Sequence, residues 1–426
     1  MQYWNTTTCN SLLFTLFLSL TGISLQAQDN SPYSRFGLGN IRPQENVANR
    51  GMGGTSIADD NPLIANPTNP ATYTGLKMTS YQVALDGSIM NLKNNNGVYR
   101  TGGSTLSYVN IGLAVSKKMG FSFGLLPFTR AKYSMLETKD LGFATASNNF
   151  YGGGGLQKIY VGAARSIGIV SIGLNMGYTF GNLVNTSESD FTDSLRMLSN
   201  NITGRTTMGG LFWQAGTLVN YKIKGETYLK IGATYTASQT INGKRETYWQ
   251  SFLGNVTSPD YSVTIDSVSN FRGKIKIPQQ LAAGILYKVG DHWQVGLDFV
   301  SSDWSTYRNY DQPDSFGNAY LIRAGGAITP DVNSVNNYWK KMTYRAGIYS
   351  GHDAFRFNTI SLPRMGFTLG LGYPIRRTNL SIGQINAALD FGRRGTTDNG
   401  LIRENYTRFA IGLTFNDKWF IKRRYD

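Results

Sequence analysis

Two histidines, His292 and His352, are the only side chains in this sequence ready for proton transfer at neutral pH. His292 falls in a short turn beside Trp293, and His352 precedes Asp353 in an expected outer loop. No nucleophile and orienting acid are spaced to converge on either one, so no catalytic residue is expected. The single cysteine, Cys9, lies in the N-terminal segment that is expected to be cleaved. A processed chain would therefore carry no thiol, and neither a metal cluster nor a cofactor site is expected. The glycine-rich Arg50-Gly51-Met52-Gly53-Gly54 could offer backbone amides to an anion. It lacks the Gly-Lys-Ser/Thr ending of a phosphate loop, and no strand–helix unit follows, so a tight turn explains it better.

What remains is paired charge. Asp59 and Asp60 either cap turns or pair with lumen arginines and set whether their segment stays seated. A second group, Asp298, Arg323, Arg345, Asp390 and Arg408, falls on the small, polar faces of expected strands. The spacing pairs Asp390 with Arg408 and Asp298 with Arg323, because a charge in a partly dry interior must be paired or hydrated. Such a lattice would stiffen a wall. An arginine surface would also suit the head group of an anionic amphiphile.

The elements that position these residues are a plug and a wall. Arg50–Ala71, RGMGGTSIADDNPLIANPTNPA, has no apolar periodicity and three Asn-Pro pairs, Asn61-Pro62, Asn66-Pro67 and Asn69-Pro70. Each pair favours a turn and pushes the residue before proline away from helix. Such a segment cannot pack alone and needs an enclosure. From Met78 onward the pattern alternates with period two: Trp293, Val295, Leu297 and Phe299 against Gln294, Gly296 and Asp298, and Phe409, Ile411, Leu413 and Phe415 against Arg408, Ala410, Gly412 and Thr414. One apolar face and one small polar face are the mark of a membrane barrel. In Thr105–Ser116 the same rule puts Ser107 with Val109 and Leu106 with Tyr108. Short turns are expected at Ser116–Gly120, Arg165–Val170, Lys222–Glu226, Lys288–His292 and Arg376–Leu380. Long polar outer loops are expected near Asn91–Gly103, Leu136–Asn149, Ser187–Gly204, Thr240–Arg272, Ser302–Asn318, Gly351–Arg364 and Arg394–Asn405. This parity gives about fourteen strands.

Composition agrees with export. The 426 residues include 25 Tyr, 22 Phe and 49 Gly, with a mean hydropathy of −0.26. Leu12–Leu25 is apolar but too short to span a bilayer, and Gln26-Ala27 before Gln28 is a cleavage context, so residues 1–27 are expected to be a signal peptide. The expected divisions after it are an arm and luminal plug over 28–77, a barrel over 78–416 and a basic periplasmic tail over 417–426. The +15 formal charge is scattered over turns and strand ends, which argues against nucleic acid and for anionic lipid or a basic lumen. Trp339-Lys340-Lys341, and Trp419 with Lys422-Arg423-Arg424, fall on the expected periplasmic rim. They are expected to anchor the barrel in outer-membrane lipid or to dock a partner.

The plug carries a resemblance. Ser56-Ile57-Ala58-Asp59-Asp60, followed by Asn69-Pro70-Ala71 and then strands, resembles the hatch of FadL-type outer-membrane transport barrels. The spacing here is longer by Asn66-Pro67-Thr68. Arg50–Gly54, Tyr344-Arg345-Ala346-Gly347 and Trp419-Phe420-Ile421-Lys422 look like the Bacteroidota, PorV-like branch. The resemblance implies an all-β, fourteen-stranded barrel with an N-terminal luminal plug, taking up small hydrophobic, fatty-acid-like molecules passively. The PorV-like branch implies the alternative, a barrel subunit of a type IX secretion or outer-membrane assembly complex.

Overall fold

Alternating strands whose backbone groups all need partners in lipid have one stable arrangement, a sheet closed on itself. The computed structural model describes residues 30–191, 197–255, 258–334, 337–357, 360–376 and 381–419. The expected signal segment and the tail beyond residue 419 lie outside them. It is a closed antiparallel barrel of fourteen strands. They are β1 (Thr79–Asn94), β2 (Gly97–Ser116), β3 (Met119–Pro127 and Thr129–Asp140), β4 (Thr145–Ile167) and β5 (Val170–Phe191). Next come β6 (Ser199–Lys224), β7 (Thr227–Thr236 and Gln239–Asn255), β8 (Ser258–Ile277 and Gln280–Val289) and β9 (Trp293–Asp303). The circuit ends with β10 (Asn318–Ile328), β11 (Thr343–Phe357), β12 (Ile360–Arg376), β13 (Ser381–Arg394) and β14 (Arg403–Asp417). β14 closes on β1 from Asp417↔Thr79 to Arg403↔Lys93. Both barrel ends therefore lie at one rim, the one expected to be periplasmic.

The apolar faces point outward. Phe409, Ile411, Leu413 and Phe415 are exposed to the lipid side, while Ala410 and Thr414 between them are buried. Ile411 is 51% exposed, so Ile411→Arg sets a charge in hydrocarbon at a cost of about 2–4 kcal/mol. Loss of the heat-modifiable folded band on a gel is the expected result, and normal assembly would mean that the face is assigned wrongly.

Two expectations need correction. Most of the long polar stretches are not loops: β1 and β2 pair up to Asn94↔Gly97, β3 and β4 to Asp140↔Thr145, and β7 and β8 to Asn255↔Ser258. Ser, Thr and Tyr keep strand propensity after the lipid-facing alternation has stopped, so the hairpins stand out above the membrane. In β2 the faces switch at a bulge, where Ala84↔Tyr108 is followed by Leu85↔Leu106. The unpaired Ser107 joins Tyr108 on the inner face, and Leu106 and Val109 both turn outward.

The wall has a discontinuity between β2 and β3. The ladder between β2 and β3 ends at Val109↔Leu125. Beyond Pro127 the outer segment of β3 keeps β4 on one side. On its other side it takes the N-terminal arm, through Asn40↔Arg130 and Ile41↔Thr129.

Candidate functional site

Among the described residues, the charged residues marked in the sequence converge in the lumen. The arm enters it high. Ser31 N donates to Lys132 O, and the Asn30 side chain bonds both backbone groups of Ser134. The arm then descends through Arg42, whose amide donates to Phe128 O, into the short helix α1, Val47–Arg50. Asn46 caps α1 by accepting from Asn49 N at 2.9 Å. After a glycine turn the chain meanders to a 3-10 turn at Pro70–Gly75, near the periplasmic floor. Gly53 and Gly54 have φ of 71° and 86°, a left-handed backbone that glycine adopts without steric cost.

Asparagine side chains hold this loop together. Asn49 Nδ2 donates to Thr55 O at 2.8 Å and to Asp59 Oδ2 at 2.6 Å. Asn66 Nδ2 reaches Ser56 O and Asp59 O, while Asn69 Nδ2 bonds Ile57 O at 2.7 Å and Thr217 O of β6 at 3.0 Å. Within the plug, the amide hydrogens thus satisfy carbonyls of a segment that lies outside the sheet. The Asn-Pro pairs marked Asn66 and Asn69 in the sequence, but Asn49 had no such signal.

The expected charges meet different partners from those that their spacing suggested. Asp298 sits opposite Arg323 in the β9–β10 ladder. It nonetheless accepts the plug amides of Ser56 and Ile57, at 2.6 and 3.0 Å. Arg323 turns instead to Glu45 of the arm at 2.6 Å and to Gly54 O at 3.2 Å. Burial pushes the Glu45 carboxyl up, but Arg323 and the other attractive contacts outweigh it and hold it below the usual range. Asp390 and Arg408 do face one another, at 3.6 Å, and Asp390 also accepts from Tyr349 OH. Arg345 is buried beside Gly51 and donates to Asn386. Asp60 pairs with a lysine, Lys230 of β7, and not with an arginine. Asp59 is inside the plug, its carboxyl raised by burial and only partly drawn back by Asn49.

Sequence spacing missed a shared ionic contact between the arm and the wall. Asp86 of β1 accepts from Arg42 at 3.1 Å and from Arg50 at 2.5 Å. Arg50 also donates to Glu45 O, Pro43 O and the bulged Ser107 Oγ. Asp86 looked like one polar residue among many on an alternating strand.

Around this level the wall is lined with glycines that admit plug backbone. A Cβ on Gly173 or Gly216 would run into the Pro70 turn, and one on Gly232 would meet Ile57 O. One on Gly325 would meet Met52 O, and one on Gly347 would overlap the Gly53 amide. Gly370 lies against Gly51, its added Cβ 2.7 Å from the Gly51 Cα. The mouth is also covered. Trp304, Tyr307 and Phe316 of the β9–β10 connection fold inward on Leu38, Ile241 and Ile275, and Tyr33 both accepts from Ile402 N and donates to Ile402 O. Between floor and mouth lies a cavity of about 260 Å³ bordered by Phe128, Lys158, Phe212, Gln214, Arg364 and Glu404. Lys158 is buried there, its Nζ 3.7 Å from the Phe128 ring centroid.

A fourteen-stranded barrel that encloses its own N-terminal segment has the fold of the FadL-like barrels. Solved structures of this architecture include the CymD monoaromatic hydrocarbon channel, with TM-score 0.52 and 14% identity, covering 91% of this chain and 100% of that one. A Pseudomonas aeruginosa FadL homologue has TM-score 0.57 and 13% identity over 89% and 99%. The Pseudomonas putida toluene transporter TodX has TM-score 0.55 and 14% identity over 89% and 100%. At these identities the likeness is one of fold. No curated protein sequence matches. The chain belongs to the BamG family, which it matches over residues 10–426.

Proposed function

We propose that this protein is a closed barrel serving as a subunit of an outer-membrane assembly complex. The observation that carries this reading is the plug's seating. Plug backbone lies against wall glycines on strands around the circumference, and ionic contacts to Asp86, Lys230 and Arg323 tie it down. A lumen filled in this way suits a scaffold, with the tall outer hairpins and the basic rim as contact surfaces. The family's name supports an association with outer-membrane assembly. The PorV-like resemblance, with its type IX secretion role, supports the same class of partner.

The second reading is a plug-gated conduit for small hydrophobic or amphipathic molecules. It is favoured by the luminal cavity, whose border includes Ile41, Arg42 and Gln44 beside the β2–β3 discontinuity. The relatives in fold that are named as hydrocarbon and toluene transporters also favour it.

A locked plug separates the two. A Cβ on Gly412 would lie 3.2 Å from Val47 Cβ, close to the roughly 3.5–4.5 Å of a disulfide. Val47→Cys with Gly412→Cys, oxidised, is expected to leave complex formation and outer-membrane protein assembly unchanged. Loss of uptake of a hydrophobic probe on oxidation, restored on reduction, would instead make the plug a gate and overturn the subunit reading.

A further inference from the structure

We infer that the connection between β10 and β11 builds a binding site for the head group of an anionic phospholipid in the periplasm-facing leaflet. Other described turns at this rim are tight, running from Ser116 to Met119, Ile167 to Val170 and Lys224 to Thr227. This connection spans 329–342 and contains a second helix, α2, Tyr338–Lys341.

Strand register fixes its height. Trp293 pairs with Ile328, Ile328 with Tyr344 and Tyr344 with Leu371, a single row around the wall. Trp293 and Ile328 are exposed on the outer face, and Trp293 packs on Tyr287 with centroids 5.4 Å apart. Rings at such a row mark the boundary between hydrocarbon and head groups. On β12, Thr368 is buried toward the plug while Phe367 and Leu369 face out, so Tyr373 also faces out. Tyr338 stacks on Tyr373, with centroids 5.9 Å apart and planes at 20°. Tyr344 OH donates to Trp339 O at 3.0 Å, and Asp331 N donates to Lys340 O at 2.8 Å. The short helix is therefore pinned to the outside of the barrel at the boundary row.

What it presents there is amphipathic. Tyr338 is 58% and Trp339 70% exposed, apolar surface that lipid would cover. Lys340 and Lys341 occupy the last turn, and neither has a carboxylate at ion-pair distance among the described residues. The neighbouring Asp331 carboxylate accepts from Asn333 N. Two unneutralised ammonium groups beside open aromatic rings, at the level where phosphates lie, match an anionic head group joined to acyl chains. A free phosphate would engage the lysines alone, and a protein partner would have to bury Trp339 at membrane depth.

The test is native mass spectrometry of the full chain released from nanodiscs of mixed phosphatidylglycerol and phosphatidylcholine. The expected result is preferential retention of phosphatidylglycerol, reduced about tenfold by Lys340→Gln with Lys341→Gln and unaffected by millimolar inorganic phosphate. Trp339→Ala should weaken retention of both lipids, which a purely ionic site would not. Equal retention of the two lipids, or an unchanged lysine double variant, would overturn the site. Displacement of the lipid by phosphate would reduce it to an ion site. Restoration of the lysine preference only by an acidic co-purifying protein would make it a protein dock.

Discussion

A Gly347→Val barrel is expected to lose its seated plug. Any Cβ at this position overlaps the Gly53 amide and the Met52 carbonyl carbon, both of them backbone. Neither can retreat, because Gly53 N donates to Thr368 Oγ1 at 2.7 Å and its φ of 71° belongs to a turn that few other conformations would close. Overpacking a side chain against side chains costs about 1–3 kcal/mol, and against fixed backbone the cost lies at the upper end or above it. Trypsin then finds Arg50, whose bond to Gly51 is otherwise protected, whereas Arg42 precedes Pro43 and is not a cleavage site. Rapid cleavage there in intact membranes, with Gly347→Ala intermediate, is the expected pattern. A variant plug as resistant as the native one would show that the close fit at this strand is unimportant.

Asp86→Ala is expected to have the second largest effect, by a different route. Its carboxylate is shared by Arg42 and Arg50, both largely buried. Removing it takes from both guanidinium groups the carboxylate that they share, and breaking a buried pair from one side costs about 3–5 kcal/mol. The arm and α1 hang on this contact, so the loss should appear as a lowered thermal transition together with protease access to the arm. Arg42→Gln in the same chain should recover part of the loss, because it removes one of the stranded charges. Strictly additive effects of the two substitutions would mean that the residues are not coupled.

How far the sequence could be read depended on whether a residue's partner was near in the pattern. Trp293–Phe299 and Phe409–Phe415 declare their faces alone, because lipid is a uniform partner and alternation is all it requires. The pairing of Asp390 with Arg408 was legible because the two strands are adjacent. Asp298 misled. Its ladder neighbour Arg323 was visible, but the plug amides that it serves are far away in sequence and carry no residue-type signal. The Asp86 contact was hidden for the same reason, as was the choice of Lys230 for Asp60. The glycines of the wall read as small interior residues, and nothing in their spacing said that backbone would press on them. Ser107 was misplaced because a bulge leaves no mark in an alternating string.

The plug's position in the chain bears on how the barrel comes to exist. Residues 30–77 are synthesised before any strand of the wall, and the wall's inner relief is shaped to them strand by strand. A ring completed empty would have to admit a folded loop that is bonded on every side. A ring wound around that loop would meet each glycine with its matching backbone already there, and the Thr79–Asp417 seam would then close over it. The N-terminal segment is then a mandrel as much as a stopper, and its mutations should register first in the yield of closed barrels.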